Sequence, residues 1–434
     1  MIDWRQIITD AAAINASDVF WKPGQPPCIR VKGIIERIEG ASVLTPDDTR
    51  DIAFSLMDAR RQAQFEEYHE RDVGLTVEGV CRLRINIYQE RGNLGLVMRI
   101  IPLKIKTIEE LELSEILYKI SDERVGFVLV TGPTGCGKST TLAAMVDYIN
   151  QTRQCNIVTV EDPIEYVHAD KTSIVNQREV GLDTDSFSDA LKYVVRQSPD
   201  VILIGEMRDI ETMNVAMQAA ETGHLVFATV HTNSAVETMD RIINMFPPHD
   251  QPMIALRLSK TLRAVLSQSL VPRADGPGRV CAIEIMRVTP TIAKAIEERR
   301  PGEAYPLIAD GEFWGMQTKN QSLLQHYVAG RISPLDALFY AGNYTEMRQM
   351  LRRANPNVDL TDSRSLADAK ADEDSKRADA EERRKQRPAG TQHPMSSPPA
   401  APPGQPAAPQ PGAPRPPQPG GAPRPPAPPP PRGR

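Results

Sequence analysis

With 434 residues, 40% of them hydrophobic and 25% charged, the chain has the composition of a folded protein of two or more domains. A net charge of −5 gives no overall bias towards nucleic acid, and no apolar run approaches the roughly eighteen residues of a membrane span. Five scattered cysteines (Cys28, Cys81, Cys136, Cys155, Cys281), odd in number and without a Cys-x-x-Cys pair, argue against a zinc site or disulfide framework and fit a reducing cytoplasm.

Residues 1–16 read as an amphipathic helix with Trp4, Ile7, Ile8 and Ala11 on one side, without the pattern of a signal peptide. Any work at a membrane is therefore expected to run through a partner. From Ser17 to about Ile38 come short β-type runs. Thr45-Pro46 then marks a helix start, with Thr45 as N-cap and Pro46 in the first turn. Alternation returns over 73–101, and the whole reads as a small α+β domain over 1–102. A linker, 103–111, separates it from a second domain, 112–357. There Phe127–Val130, Asn156–Val160, Val201–Ile204 and Leu225–Val230 are nearly all-apolar runs separated by helical stretches, the mark of a parallel α/β sheet. Gly223 stops the helix before the last of these strands. Residues 250–350 read as mostly helical, with a hairpin-like stretch at 278–286. From 358 the composition turns charged, then Pro-rich; 388–434 hold just over half of the 38 prolines and repeat Gly-Ala-Pro-Arg-Pro-Pro. Such a disordered tail is either solubilising or a docking site for a Pro-reading groove or an acidic surface.

Residues 127–150, FVLVTGPTGCGKSTTLAAMVDYIN, carry the chemistry. Gly132-Pro133-Thr134-Gly135-Cys136-Gly137-Lys138-Ser139 fits G-x-x-x-x-G-K-[ST] between an apolar strand and a helix with Leu142, Met145, Val146 and Ile149 at helical spacing. Glycines let consecutive backbone N–H groups curl around phosphate, and the helix adds the positive end of its dipole. Lys138 is placed to reach the β- and γ-phosphates, Ser139 to hold Mg²⁺, and Thr140 continues the cradle. Cys136 is either a small filler or a redox-sensitive thiol.

Three further motifs follow strands, where active sites of open parallel sheets lie. Glu161, Asp162 and Glu165 form an acidic cluster suited to Mg²⁺ or water, with Asp162 a further metal candidate. Glu206, after Val201–Ile204, is the first choice for catalytic base, with Glu161 or Glu165 in reserve. His224 and His231 bracket one strand, and His231 at its carboxyl end is placed to donate to a γ-phosphate. In the first domain, alternation puts Arg82 and Arg84 on one face. A solvated sheet face is the default reading. An arginine inserted into a neighbour's site would instead require an oligomer, and such a finger contributes about 10³–10⁵ in rate.

These motifs closely resemble the PilT/PilU family, the retraction motors of type IV pili within the secretion-ATPase superfamily. The resemblance spans about residues 1–353 and rests on ASDVFWKPGQPPCIRVKG, CRLRIN, GPTGCGKSTT, VEDPIEYVH, QREVGLDTDSF, DVILIGEMRD, TGHLVFATVHTNSA and GMQT. It implies a PAS-like N-terminal domain, a RecA-like P-loop ATPase core and a cytoplasmic homohexamer that uses ATP and Mg²⁺. Docking on an inner-membrane platform protein is implied too, as is partnership with a paralogous retraction or assembly ATPase. The family's Walker A, Asp, Walker B and His boxes fall on Lys138 and Ser139, Glu161 and Glu165, Glu206, and His224 and His231. Arg84 and Arg99 fall where the family places arginines that reach the adjacent subunit's nucleotide. Two features depart. Thr289-Pro290-Thr291-Ile292-Ala293-Lys294 lacks an arginine that PilT-type members carry there, and the ending SPLDALFYAGNYTEMRQMLRR looks more like PilU. The implied function is pilus retraction. The alternatives are pilus assembly or type II secretion, and an accessory ATP-binding regulator of another motor.

Overall fold

The computed structural model describes residues 3–31 and 33–360. The reading of a disordered Pro-rich tail falls almost entirely outside the described residues. The chain opens with α1 (Trp4–Ala13), β1 (Asp18–Trp21), β2 (Cys28–Val31), β3 (Ile34–Arg37), α2 (Pro46–Ser55), α3 (Ala59–Tyr68), β4 (Glu70–Val77), β5 (Cys81–Glu90) and β6 (Asn93–Pro102). The six strands form an antiparallel sheet in the order β3-β2-β1-β6-β5-β4. Alternation decides its faces: Cys81, Leu83, Ile85 and Ile87 of β5 are buried with Ile8 of α1, Ile52 of α2 and Phe65 of α3. Arg82 and Arg84 necessarily point the other way. The expected start of α2 is present as a full capping box, with Thr45 accepting from Asp48 N and the Asp48 side chain accepting from Thr45 N.

The rest of the chain runs α4 (Ile116–Ser121), β7 (Gly126–Thr131), α5 (Lys138–Thr152), β8 (Asn156–Glu161), β9 (Ile174–Glu179), α6 (Phe187–Val194), β10 (Val201–Ile204), α7 (Ile210–Glu221) and β11 (Leu225–Val230). It continues through α8 (Ala235–Asn244), α9 (Gln251–Thr261), β12 (Leu262–Pro272), β13 (Arg279–Arg287), α10 (Pro290–Glu297), α11 (Ala304–Ala309), α12 (Lys319–Val328), α13 (Pro334–Phe339) and α14 (Tyr344–Ala354). The seven strands lie in the order β13-β12-β7-β11-β10-β8-β9, all parallel except β13. Both faces are covered, so the central strands read as unbroken apolar runs. Val128 and Val130 of β7 pack with Leu142, Met145 and Ile149 of α5. Phe127 and Leu129 pack on the opposite face with Leu191 of α6, Met213 of α7 and Leu258 of α9. Each such fully buried side chain contributes roughly 1.5–3 kcal/mol relative to an exposed one.

One expectation is corrected. Residues 262–272 belong to no helical stretch but form β12, the longest strand of the sheet, paired parallel to β7 and antiparallel to β13. Ser267, Gln268 and Ser269 interrupt its apolar pattern, which hid it. They are tolerated inside because they find partners: Ser267 Oγ lies 2.8 Å from Thr131 Oγ1, and Gln268 Nε2 donates to Thr141 Oγ1 at 2.7 Å. The polar strand β9, IVNQRE, is an edge strand and was likewise unmarked by hydrophobicity.

Candidate active site

The carboxyl ends of β7, β8, β10 and β11 converge on a cleft of about 510 Å³, within the usual size of a ligand site. Its floor is the loop between β7 and α5. Gly132, Gly135 and Gly137 hold positive φ (141°, 79° and 92°), the left-handed region that favours glycine. At Gly132 there is also no space: a Cβ would lie 2.5 Å from Gln268 O and from Cys136 Sγ. α5 begins at Gly137 without any side-chain cap, whereas α6, α7 and α8 are capped by Ser186, Asp209 and Ser234. Its first-turn N–H groups are therefore left for an anion.

Lys138 is 9% exposed, and its Nζ donates to Gly132 O at 2.8 Å and Pro133 O at 3.1 Å, inside the curl of the loop. Thr134, Gly135, Gly137, Lys138, Ser139 and Thr140 line the cleft. Cys136 is buried and burial pushes its thiol above the ordinary value, which fits the filler reading and not a reactive thiolate.

The acidic cluster after β8 is braced from several sides. Tyr166 Oη and Thr140 Oγ1 share a hydrogen bond of 2.8 Å, tying this loop to α5. Glu161 accepts from Thr159 Oγ1 at 2.6 Å and Gln177 Nε2 at 3.0 Å, and burial pushes its carboxyl above the usual carboxylate range. Glu161, Asp162 and Glu165 all line the cleft.

Glu206 follows β10 and has a different environment. Its Oε2 accepts from Arg208 Nη2 at 2.6 Å, and its Oε1 lies 3.2 Å from His231 Nε2. The hydrogen bond from Arg208 holds its carboxyl below the ordinary value of 4.5, against the opposing effect of burial. Two carboxyls in one cleft are thus driven apart, Glu161 towards the protonated form and Glu206 towards the ionised one. Such divergence separates acid and base assignments.

Gly205 precedes Glu206 because the strand ends crowd there; a Cβ would meet Glu161 Cα at 3.2 Å and Val160 O at 3.3 Å. Removing the arginine by Arg208→Ala lets the Glu206 pKa rise. An ionised base is then lost at higher pH, so the acid limb of the kcat/KM profile moves upwards. An acid limb that stays in place in Arg208→Ala contradicts this role.

The structure does not gather all the expected residues. His231 reaches the cleft at the carboxyl end of β11, but His224 sits at the opposite end of that strand, with Nδ1 2.8 Å from Ala219 O at the close of α7. A strand of six residues separates its two ends by roughly 20 Å, so no single-chain site can use both histidines. Arg84 lines the cleft of its own chain. Arg99, opposite Arg84 in the β5–β6 register, instead pairs with Asp18 at 3.1 Å and is not part of the cleft wall.

Arg208, Leu270 and Arg279 are among the wall residues that escaped the sequence. Arg208 lies within the same motif as Glu206 and was within reach of inspection. Leu270 and Arg279 come from β12 and β13 and carry no local mark.

A comparison with protein families matches residues 71–309 to the family described as Type II/IV secretion system protein. The chain is 45% identical over 332 residues to the type IV pilus retractation ATPase PilT of Pseudomonas aeruginosa PAO1, covering 76% of this chain and 96% of that one. It is 42% identical over 338 residues to the type IV pilus ATPase PilU of the same organism, covering 78% and 88%. Among solved structures, the pilus retraction motor PilT with bound ADP superposes with a TM-score of 0.76 at 42% identity, covering 80% of this chain and all of that one.

Proposed function

The chain belongs to the Type II/IV secretion system protein family, and from that premise we propose that it is a motor ATPase that hydrolyses ATP to drive type IV pilus retraction. The observation that carries the reading is the meeting of Lys138, Glu206, Arg208 and His231 at adjacent strand ends, around a loop built for phosphate. The triphosphate would lie along the uncapped start of α5, drawing the Lys138 ammonium from the loop carbonyls to its oxygens. Glu206, ionised, accepts the proton of the attacking water as the bond from the γ-phosphorus to the bridging oxygen breaks, leaving ADP and phosphate. His231, whose Nε2 lies 3.2 Å from Glu206 Oε1, donates to a γ-phosphate oxygen and so couples that oxygen to the base. Arg84 offsets the charge of the transition state.

The sheet order sets the polarity of the cleft. β11 and β10 flank β7 on one side and bring Glu206 and His231. β12 flanks it on the other and brings Leu270, with Arg279 from β13, to the opposite wall of the cleft.

The donors at this cleft suit Mg²⁺. Ser139 and the carboxylates offer only oxygens, and no group of three or more His, Cys, Asp or Glu among the described residues could hold a metal alone. A hard cation that keeps several waters and shares phosphate oxygens fits such a sparse set, and Ser139 with Asp162 would hold it. Bound there, it would neutralise charge on the phosphates.

The finer reading is a homohexamer docked through an inner-membrane platform protein at the cytoplasmic face; it rests on the resemblance of the motifs. No described helix is long and apolar enough to cross a membrane. A second reading, an accessory ATP-binding regulator (PilU-like) of another retraction motor, is favoured by the start of α10, where Thr289-Pro290-Thr291-Ile292-Ala293-Lys294 lacks the arginine of PilT-type members. A deletion strain tests both. Excess surface pili without twitching are expected for a retraction motor, unimpaired twitching assigns the accessory role, and loss of pili overturns retraction in favour of assembly.

A further inference from the structure

Between the outer face of β4 and β5 and the core lies a second cavity of about 440 Å³, bounded on the core side by Asp162, Pro163 and Ile164 and by the end of β9. An ion pair spans these two parts of the chain. Arg82 Nη2 donates to Glu179 Oε2 at 2.6 Å, with the side chains only 12% and 9% exposed. A buried pair of this kind is weak evidence for stability, because desolvation offsets much of the attraction, so its purpose has to be sought in position.

Three neighbours indicate what is positioned. The same Glu179 Oε2 accepts the backbone N–H of Ile164 at 3.2 Å, and Glu179 pairs with Glu161 in the β8–β9 register. One carboxylate therefore ties the N-terminal sheet to the loop that carries Asp162 and Glu165. Arg84 stands two residues beyond Arg82 on the same face of β5 and lines the nucleotide cleft. Gly74 lies opposite Arg84 in β4, and a Cβ there would stand 2.8 Å from Arg82 Nη2 and 3.1 Å from Glu179 Oε1. Its φ lies outside the left-handed region, so glycine is needed here for room and not for conformational freedom.

We propose that the Arg82–Glu179 pair, given room by Gly74, is a positioning strut for ATP hydrolysis: it holds Arg84 in the cleft of its own chain and fixes the acidic loop in the same contact. The N-terminal domain and the carboxylates of the cleft then move together. This rests on the reading of the cleft as an ATP-hydrolysing site.

The test is steady-state ATP hydrolysis and ADP titration on the full-length chain, with thermal melting to verify folding. Arg82→Met and Gly74→Ala break the contact by unrelated chemistry, deleting a charge in one case and inserting a methyl in the other. Each is expected to lower kcat about 10- to 100-fold with ADP affinity changed less than about threefold, the pattern of a misplaced group rather than a lost ligand. Because both remove one contact, the double variant should be no slower than the slower single variant. Arg82→Lys, which keeps a cation at the site, should retain kcat within about fivefold. Unchanged kcat in Arg82→Met overturns the proposal, as do multiplicative losses in the double variant or a loss confined to ADP affinity. Absence of turnover in the unsubstituted chain overturns the reading of the cleft itself, and the strut with it.

Discussion

Glu206→Gln is expected to lower kcat for ATP by about 10²–10⁴-fold, the contribution of a positioned general base, while leaving nucleotide bound. The amide keeps the shape of the side chain and can still face Arg208 and His231, so the cleft should stay intact. What it loses is the basic oxygen. In the unsubstituted chain the hydrogen bond from Arg208 at 2.6 Å favours the ionised carboxylate and holds it below the ordinary carboxylate value. A carboxylate so held is a weaker base than a free one but is available at every physiological pH, and the low-dielectric cleft strengthens its orienting field on water. Single-turnover hydrolysis beside ADP titration separates the two effects. Undiminished hydrolysis in Glu206→Gln removes this residue from the role and passes it to Glu165, since burial drives Glu161 towards its protonated form.

Lys138→Ala is expected to weaken ADP and ATP binding by about 10- to 150-fold, the equivalent of the roughly 1.5–3 kcal/mol carried by a hydrogen bond to a charged group. Two losses contribute. The ammonium no longer meets the phosphates, and Gly132 O and Pro133 O lose the donor that holds them in the curled loop. Lys138→Gln distinguishes them, because it keeps an N–H donor for the carbonyls without the charge. Similar weakening in both variants assigns the effect to charge. Near-normal binding in Lys138→Gln assigns it to loop shape, and normal binding in both removes Lys138 from the phosphate site.

The legible parts of this protein are those whose causes lie within a few residues of one another. The turn at 132–139 needs its glycines because of backbone angles and one crowded contact, so eight consecutive positions declare it. The strands before Glu161, Glu206 and His231 are buried on both faces, and burial writes itself as unbroken apolar runs. Even the start of α2 was readable, since a capping box is closed over four residues.

What failed to show had causes elsewhere in the chain. β12 resembles no apolar strand because Ser267 and Gln268 are satisfied by Thr131 and Thr141, more than a hundred residues earlier. The two histidines around β11 look equivalent in sequence, yet a parallel strand carries one to the cleft and the other to the far edge of the sheet. Arg84 and Arg99 also look alike; Arg99 pairs with Asp18, delivered by β1, and of the two Arg84 lines the cleft.

The sequence by itself thus determined that the chain binds nucleotide, which strand ends carry the acids, and that a parallel α/β sheet holds them. Tertiary structure alone decided which of two like residues enters the cleft, which wall Leu270 and Arg279 supply, and that Arg82 and Glu179 join the two sheets. The reason is physical. Backbone angle, burial and capping act through near neighbours and leave their mark in local residue choice, whereas pairing a charge or closing a cleft depends on a partner whose sequence distance is arbitrary.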